Sequence, residues 1–151
     1  MKAKKLMLIY VTLLVSVILG LYIVGVYSPP PRARVKGRWY PRTWSEGPIA
    51  QPWNIELGFA PKRSVDEIDT STILLEGLYN ASSEPYDRKN RVVVPFDGAD
   101  VIEAAILKAG HLTPGSHLIY LEVSGELKDG TPFSTGMSSV IVLFIDNLPA
   151  P

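Results

Sequence analysis

His111 and His117 are the only histidines in the chain, and cysteine is absent. Zinc sites draw on Cys, His, Asp and Glu, so a site built on these two histidines needs carboxylates from distant segments. The lack of cysteine also removes disulfides, thiolate metal sites and cysteine nucleophiles. A Ser-His-Asp triad can be assembled on paper around either histidine. No Gly-x-Ser-x-Gly elbow supports one, and no Gly-rich phosphate loop occurs. Both histidines therefore read as loop or strand-edge residues.

The carboxylates offer little more. Asp66, Glu67 and Asp69 form a small acidic cluster that fits a solvated turn with a helix cap. Glu84 and Asp87 stand among Arg88, Lys89 and Asn90. Calcium takes six or more oxygen ligands, and basic neighbours oppose it. Asn80-Ala81-Ser82 is a sequon that marks Asn80 as a possible glycosylation site. The expectation is a protein that is not an enzyme, with no catalytic residues, no cofactor and no metal.

What the sequence does specify is architecture. The net charge of the 151 residues is zero, but it is unevenly spread. Residues 1–50 carry eight Lys/Arg and one acid, whereas residues 51–151 carry seven Lys/Arg and fourteen Asp/Glu. That asymmetry implies a basic N-terminal part and an acidic domain. An acidic domain is a poor partner for nucleic acid, whose phosphates need clustered Lys/Arg.

Leu6 to Tyr27 contains no charge, and fourteen of its residues are Leu, Ile or Val. As a helix, this run spans roughly 33 Å, close to the thickness of a bilayer core. It is longer than a signal-peptide core, and the exit towards Pro29-Pro30-Pro31 lacks a small-x-small cleavage site. Residues 1–27 are thus expected to be a retained transmembrane anchor. Within it Thr12, Ser16 and Gly20 recur every four residues, the spacing of a helix-association face.

Residues 28–52 contain six prolines and read as an extended linker, neither helix nor central strand. Along it Arg32, Arg34, Lys36, Arg38 and Arg42 mix with Trp39, Tyr40 and Trp44. The cations suit anionic head groups and the aromatics suit the interface or a partner. The competing reading is a basic linker whose aromatics dock on its own acidic domain.

From Trp53 to Phe59 apolar and polar residues alternate, a half-buried strand. Ser64 and Glu67 have capping-box spacing, predicting a helical turn near Val65–Ile68. A second strand is expected over Thr70–Leu78, a loop over Tyr79–Asn90, and a third strand over Arg91–Phe96. Asp100 and Glu103 then suggest the start of a helix of about ten residues with Ile102, Ala105, Ile106 and Ala109 inward, closed by Gly110. Strands follow at His117–Leu127 and Ser138–Ile145, joined by an Asp129-Gly130 hairpin turn. The predicted core draws on Trp53, Ile73, Leu75, Val93, Ile106, Leu121, Val142 and Phe144.

The run Val65-Asp66-Glu67-Ile68-Asp69-Thr70-Ser71-Thr72-Ile73-Leu74-Leu75-Glu76-Gly77 resembles the opening of prokaryotic immunoglobulin-like modules of cell-surface and secreted proteins. The resemblance continues through Val94-Pro95-Phe96-Asp97, Leu112-Thr113-Pro114-Gly115 and Val123–Phe133, and covers residues 53–145. It implies a mainly β fold: an immunoglobulin-like β-sandwich with one short crossover helix over 53–147, followed by a tail over 148–151. It also implies a structural or adhesive role without catalysis. Many such modules carry an Asp-x-Asp loop that looks like a calcium site. Glu84 and Asp87 do not reproduce it.

Together these readings describe a single-pass protein of the cell surface, its N-terminus cytoplasmic and its β domain extracytoplasmic. Its expected partners are the lipid membrane and another protein, with no nucleic acid. Two alternatives stand beside a structural or protein-binding role: an accessory subunit of a larger membrane complex, and a carbohydrate-binding module. The charges flanking the span conflict. Lys2, Lys4 and Lys5 precede it and five cations follow it. The three lysines abut the apolar run whereas Arg32 lies past the prolines, which favours the cytoplasmic N-terminus.

Overall fold

A computed structural model describes residues 15–16, 31–45, 49 and 52–145. The chain divides into two compact units, residues 1–30 and 31–151. In the first, Val15 and Ser16 are helical and exposed. The rest of the expected anchor, with Thr12 and Gly20, lies outside the described residues, as does the tail 148–151. Among the described residues no helix is long and apolar enough to cross a membrane.

The second unit is mainly β. Among its described residues eleven strands and one α-helix follow in the order β1 (Ala33–Tyr40), β2 (Thr43–Ser45), β3 (Trp53–Ala60), β4 (Ile68–Leu75), β5 (Tyr79–Asn80), β6 (Tyr86–Arg88), β7 (Arg91–Phe96), α1 (Gly98–Ala109), β8 (Gly115–Tyr120), β9 (Val123–Leu127), β10 (Pro132–Ser134) and β11 (Val140–Ile145). Eight strands form one curled sheet in the order β5-β4-β9-β10-β1-β3-β7-β6, and three form a second in the order β2-β11-β8. One hydrophobic cluster draws on both sheets and on α1.

The largest correction concerns the linker. Ala33–Tyr40 is a central strand, antiparallel to β3 from Arg34↔Ala60 to Tyr40↔Asn54 and parallel to β10. The prolines flank this stretch rather than interrupt it, so every amide needed for the ladder is present. Its own alternation decides the matter: Val35 and Trp39 are buried, and Arg34, Lys36, Arg38 and Tyr40 point outward. At Gly37 the inward side is occupied, since an added Cβ would meet Ile55 Cδ1 at 2.8 Å and Thr135 Cγ2 at 2.9 Å. Of the two competing readings of the basic stretch, the buried Trp39 and half-buried Trp44 match aromatics docked on the domain itself.

Several element limits also move. β3 and β7 stand where expected, but β4 ends at Leu75, because Glu76 and Gly77 both adopt positive φ (51° and 70°) and turn the chain into β5. The expected loop over Tyr79–Asn90 thus contains the short strands β5 and β6. The helix is capped by Asp97, whose Oδ1 accepts from the Ala99 N–H at 2.8 Å, so Asp100 sits inside the first turn. The inward face also differs from the expected one: Val101, Ile102, Ala104 and Ala105 are buried and Ile106 is exposed. Gly110 closes the helix with φ 70°.

The expected strand His117–Leu127 is two strands in different sheets. The chain crosses between them at Leu121, which is fully buried and donates its N–H to Ser139 O at 2.9 Å. The Asp129-Gly130 turn joins β9 to β10, not to the last strand. Only Gly130 has positive φ (81°), whereas a type I′ turn needs it at both central residues. With Gly130 N–H donating to Leu127 O and Leu127 N–H to Thr131 O, it is a three-residue loop ending in a left-handed glycine. In β11 the faces are reversed: Ile141, Leu143 and Ile145 are buried, Val142 is half-buried and Phe144 exposed. Every residue of Val140–Ile145 is apolar, so period two cannot choose a face. Pairing of Ile141 with buried Ile119 chooses it.

Candidate functional site

The residues with chemical potential do not converge. His117 Nε2 lies 2.7 Å from Thr113 O, and His111 is exposed in the loop after α1. Glu67 pairs with Arg63 at 2.7 Å and accepts from the Ser64 N–H at 3.1 Å. The Arg63 hydrogen bond, aided by that backbone bond, holds the Glu67 carboxyl below its ordinary value. Asp69 accepts from both the N–H and hydroxyl of Ser71. Asp87 accepts from the Val65 N–H at 3.1 Å, so it ties β6 to the single 3-10 turn Val65–Glu67, which Ser64 and Glu67 cap as expected. Glu67 and Asp69 are thus held by local hydrogen bonds, and Asp87 by a bond between elements. Among the described residues no group of three or more His, Asp or Glu is placed to hold a metal. Asn80 is exposed on β5. In α1, burial and the neighbouring Asp97 and Glu103 raise the Asp100 carboxyl above its ordinary value.

Two sheet faces stand out instead. The first is the outer face of the three-stranded sheet. Across it Leu118 pairs with Val142, Tyr120 with Val140 and Phe144 with Ser116. Cross-strand partners share a face, so these apolar side chains lie together away from the core. Leu118 is 66 % exposed, Phe144 41 % and Tyr120 40 %. A contiguous apolar face in water is unfavourable on its own and marks a contact surface. Neither strand announced it: β8 shows apolar residues on both sides, and β11 is apolar throughout.

The second is the outer face of β6-β7-β3-β1. Glu56 stands opposite Arg38 and Val93, and Arg88 opposite Arg91. Arg88 Nη1 and Arg91 Nε each lie 3.7 Å from a Glu56 oxygen. Tyr40, Glu56, Arg88, Lys89, Asn90 and Arg91 line an open groove of about 500 Å³. The Arg38 guanidinium sits 5.0 Å over the Tyr40 ring. Of the residues expected to form a stalk, the structure brings Arg34, Lys36, Arg38 and Tyr40 onto this face. It turns Trp39 into the core, half-buries Trp44 and leaves Arg32 and Arg42 exposed outside the strands. Arg88 and Arg91 join the face only through the β3–β7–β6 pairing, which sequence spacing does not reveal.

Comparisons with family models, with curated proteins and with solved structures found no significant match for this chain.

Proposed function

We propose that this chain is a single-pass membrane protein whose β unit, an immunoglobulin-like module outside the cytoplasm, binds another protein. The observation that carries the binding role is the exposed apolar face of Leu118, Tyr120 and Phe144, with Val140 and Val142 half-buried among them. Burying such a face in a partner gains roughly 25 cal/mol per Å² of apolar surface. The apolar run Leu6–Tyr27 supports the anchor. Two sheets sharing one core, with α1 on the connection from β7 in one to β8 in the other, support the immunoglobulin-like reading.

The same face bears on the alternatives. Carbohydrate modules stack sugars on exposed aromatics with polar groups between them. Tyr120 and Phe144 lie at opposite ends of the face, with apolar Leu118 and Val142 between them and the hydroxyls of Ser116, Thr43 and Ser45 only along the edges beside Phe144 and Val142. That composition suits protein better than sugar. An apolar face on an anchored module also suits an accessory subunit of a larger membrane complex.

Mild-detergent purification from source membranes, followed by mass spectrometry, tests the proposal. We expect a protein partner that Phe144→Arg releases. A stoichiometric partner makes the chain an accessory subunit, and a substoichiometric one makes it an adhesive module. Recovery of a lone monomer from both forms would overturn the binding role.

A further inference from the structure

The outer face of β6-β7-β3-β1 is strongly biased in charge. Its outward positions carry Arg34, Lys36 and Arg38 from β1 and Arg88 and Arg91 from β6 and β7, with Glu56 the one carboxylate. Five cations against one anion leave four net positive charges, and Lys89 adds another at the β6–β7 turn. Glu56 is shared between Arg88 and Arg91, so it does not neutralise the β1 row. Farther along the same sheet the sign reverses, with Glu126 opposite Asp69 on β9 and β4. The whole second half of the chain is acidic, with fourteen Asp/Glu against seven Lys/Arg over residues 51–151. A concentrated basic field on an otherwise acidic unit is a directional feature, not a general solubility charge.

We infer that this face docks on anionic lipid head groups of the membrane in which the chain is anchored. The inference rests on the anchor reading above. Three observations favour lipid over another anion. The apolar run ends at Tyr27 and β1 begins at Ala33, so the five residues between them, six Cα–Cα steps, reach at most about 20 Å. The row lies on a solvent-facing strand surface, where cations attract anionic lipids within a Debye length. Tyr40, 39 % exposed at the end of the row, is an aromatic of the kind that favours the interface. The domain would thereby be held in one orientation rather than rotating freely on its tether, with the basic face towards the head groups.

Amine footprinting of the full chain reconstituted in vesicles tests this. Lys36 and Lys89 lie on the basic face, while Lys108 on α1 and Lys128 in the β9–β10 turn are exposed elsewhere and serve as internal references. In vesicles of phosphatidylcholine with phosphatidylglycerol, acetylation of Lys36 and Lys89 should fall at least severalfold relative to pure phosphatidylcholine. The reference lysines should not change, and about 0.5 M salt should abolish the protection by screening. Each surface cation contributes on the order of a fivefold change in partition. The triple variant R34E/R38E/R88E should therefore lose the protection, with circular dichroism confirming its fold. Equal reactivity of Lys36 and Lys89 in both vesicle types would overturn the inference. So would protection by a short single-stranded DNA but not by phosphatidylglycerol. The anchor is read separately: alkaline carbonate that strips the chain from vesicles refutes the anchor. Salt-sensitive protection by phosphatidylglycerol would still support the face.

Discussion

Trp39 on β1 and Phe96 at the end of β7 pack with ring centroids 5.9 Å apart and planes tilted by 52°. Both are fully buried, and β3 runs between their strands. The contact locks the most N-terminal strand of the β unit into its core, so that strand is part of the fold rather than a spacer. Trp39→Ala should destabilise residues 31–151 by about 3–5 kcal/mol, the range for deleting a buried aromatic. Denaturant unfolding of the variant measures this. A loss below about 1 kcal/mol would return Ala33–Tyr40 to the status of a linker.

That strand also shows where the sequence misled. Ala33–Tyr40 alternates apolar and basic residues with period two, the same signal that identified Trp53–Phe59. Prolines on both sides and a plain excess of arginine obscured it. β3, β7 and the position of Gly110 were legible because alternation, β-branched residues and a capping glycine agree locally. β11 was legible as a strand but not in its facing, because six consecutive apolar residues carry no period. The apolar face of Leu118 and Phe144 was hidden for that reason. The basic face was half legible: its β1 row was visible as charge, while Arg88 and Arg91 reach it only through long-range strand pairing.

Gly130 should be intolerant of a side chain although no atom lies within 4 Å of where its Cβ would be. The strain is in the backbone, at φ 81°. Gly130→Val should lower stability by about 1 kcal/mol or more, through conformation rather than clash. An unchanged thermal midpoint would show that the loop relaxes to another turn.

In the same turn the side-chain and backbone bonds from Thr131 hold the Asp129 carboxyl below its ordinary value of 3.8. A carboxylate with a depressed folded pKa stabilises above its unfolded pKa, and that contribution is lost as pH falls through the folded one. Asp129→Asn keeps an acceptor but removes the titration. Melting curves across the acid range should therefore show the wild type losing its margin over the variant as pH drops below about 4. A margin constant down to the folded pKa and beyond would contradict this assignment.

On the proposed orientation, with the N-terminus in the cytoplasm, protease added to intact cells or spheroplasts should remove residues 28–151 and leave the anchor. Degradation only after the membrane is breached would place the β unit inside.

The central claim is that an anchored β unit holds a protein through the Leu118–Phe144 face. Photo-crosslinking from position 118 in source membranes tests it most directly, with exposed Lys62 as the comparison position. A discrete protein adduct from 118, absent from 62 and retained in the alkaline-washed membrane pellet, is the expected result. No adduct from 118, or the same adducts from both positions, would contradict the account.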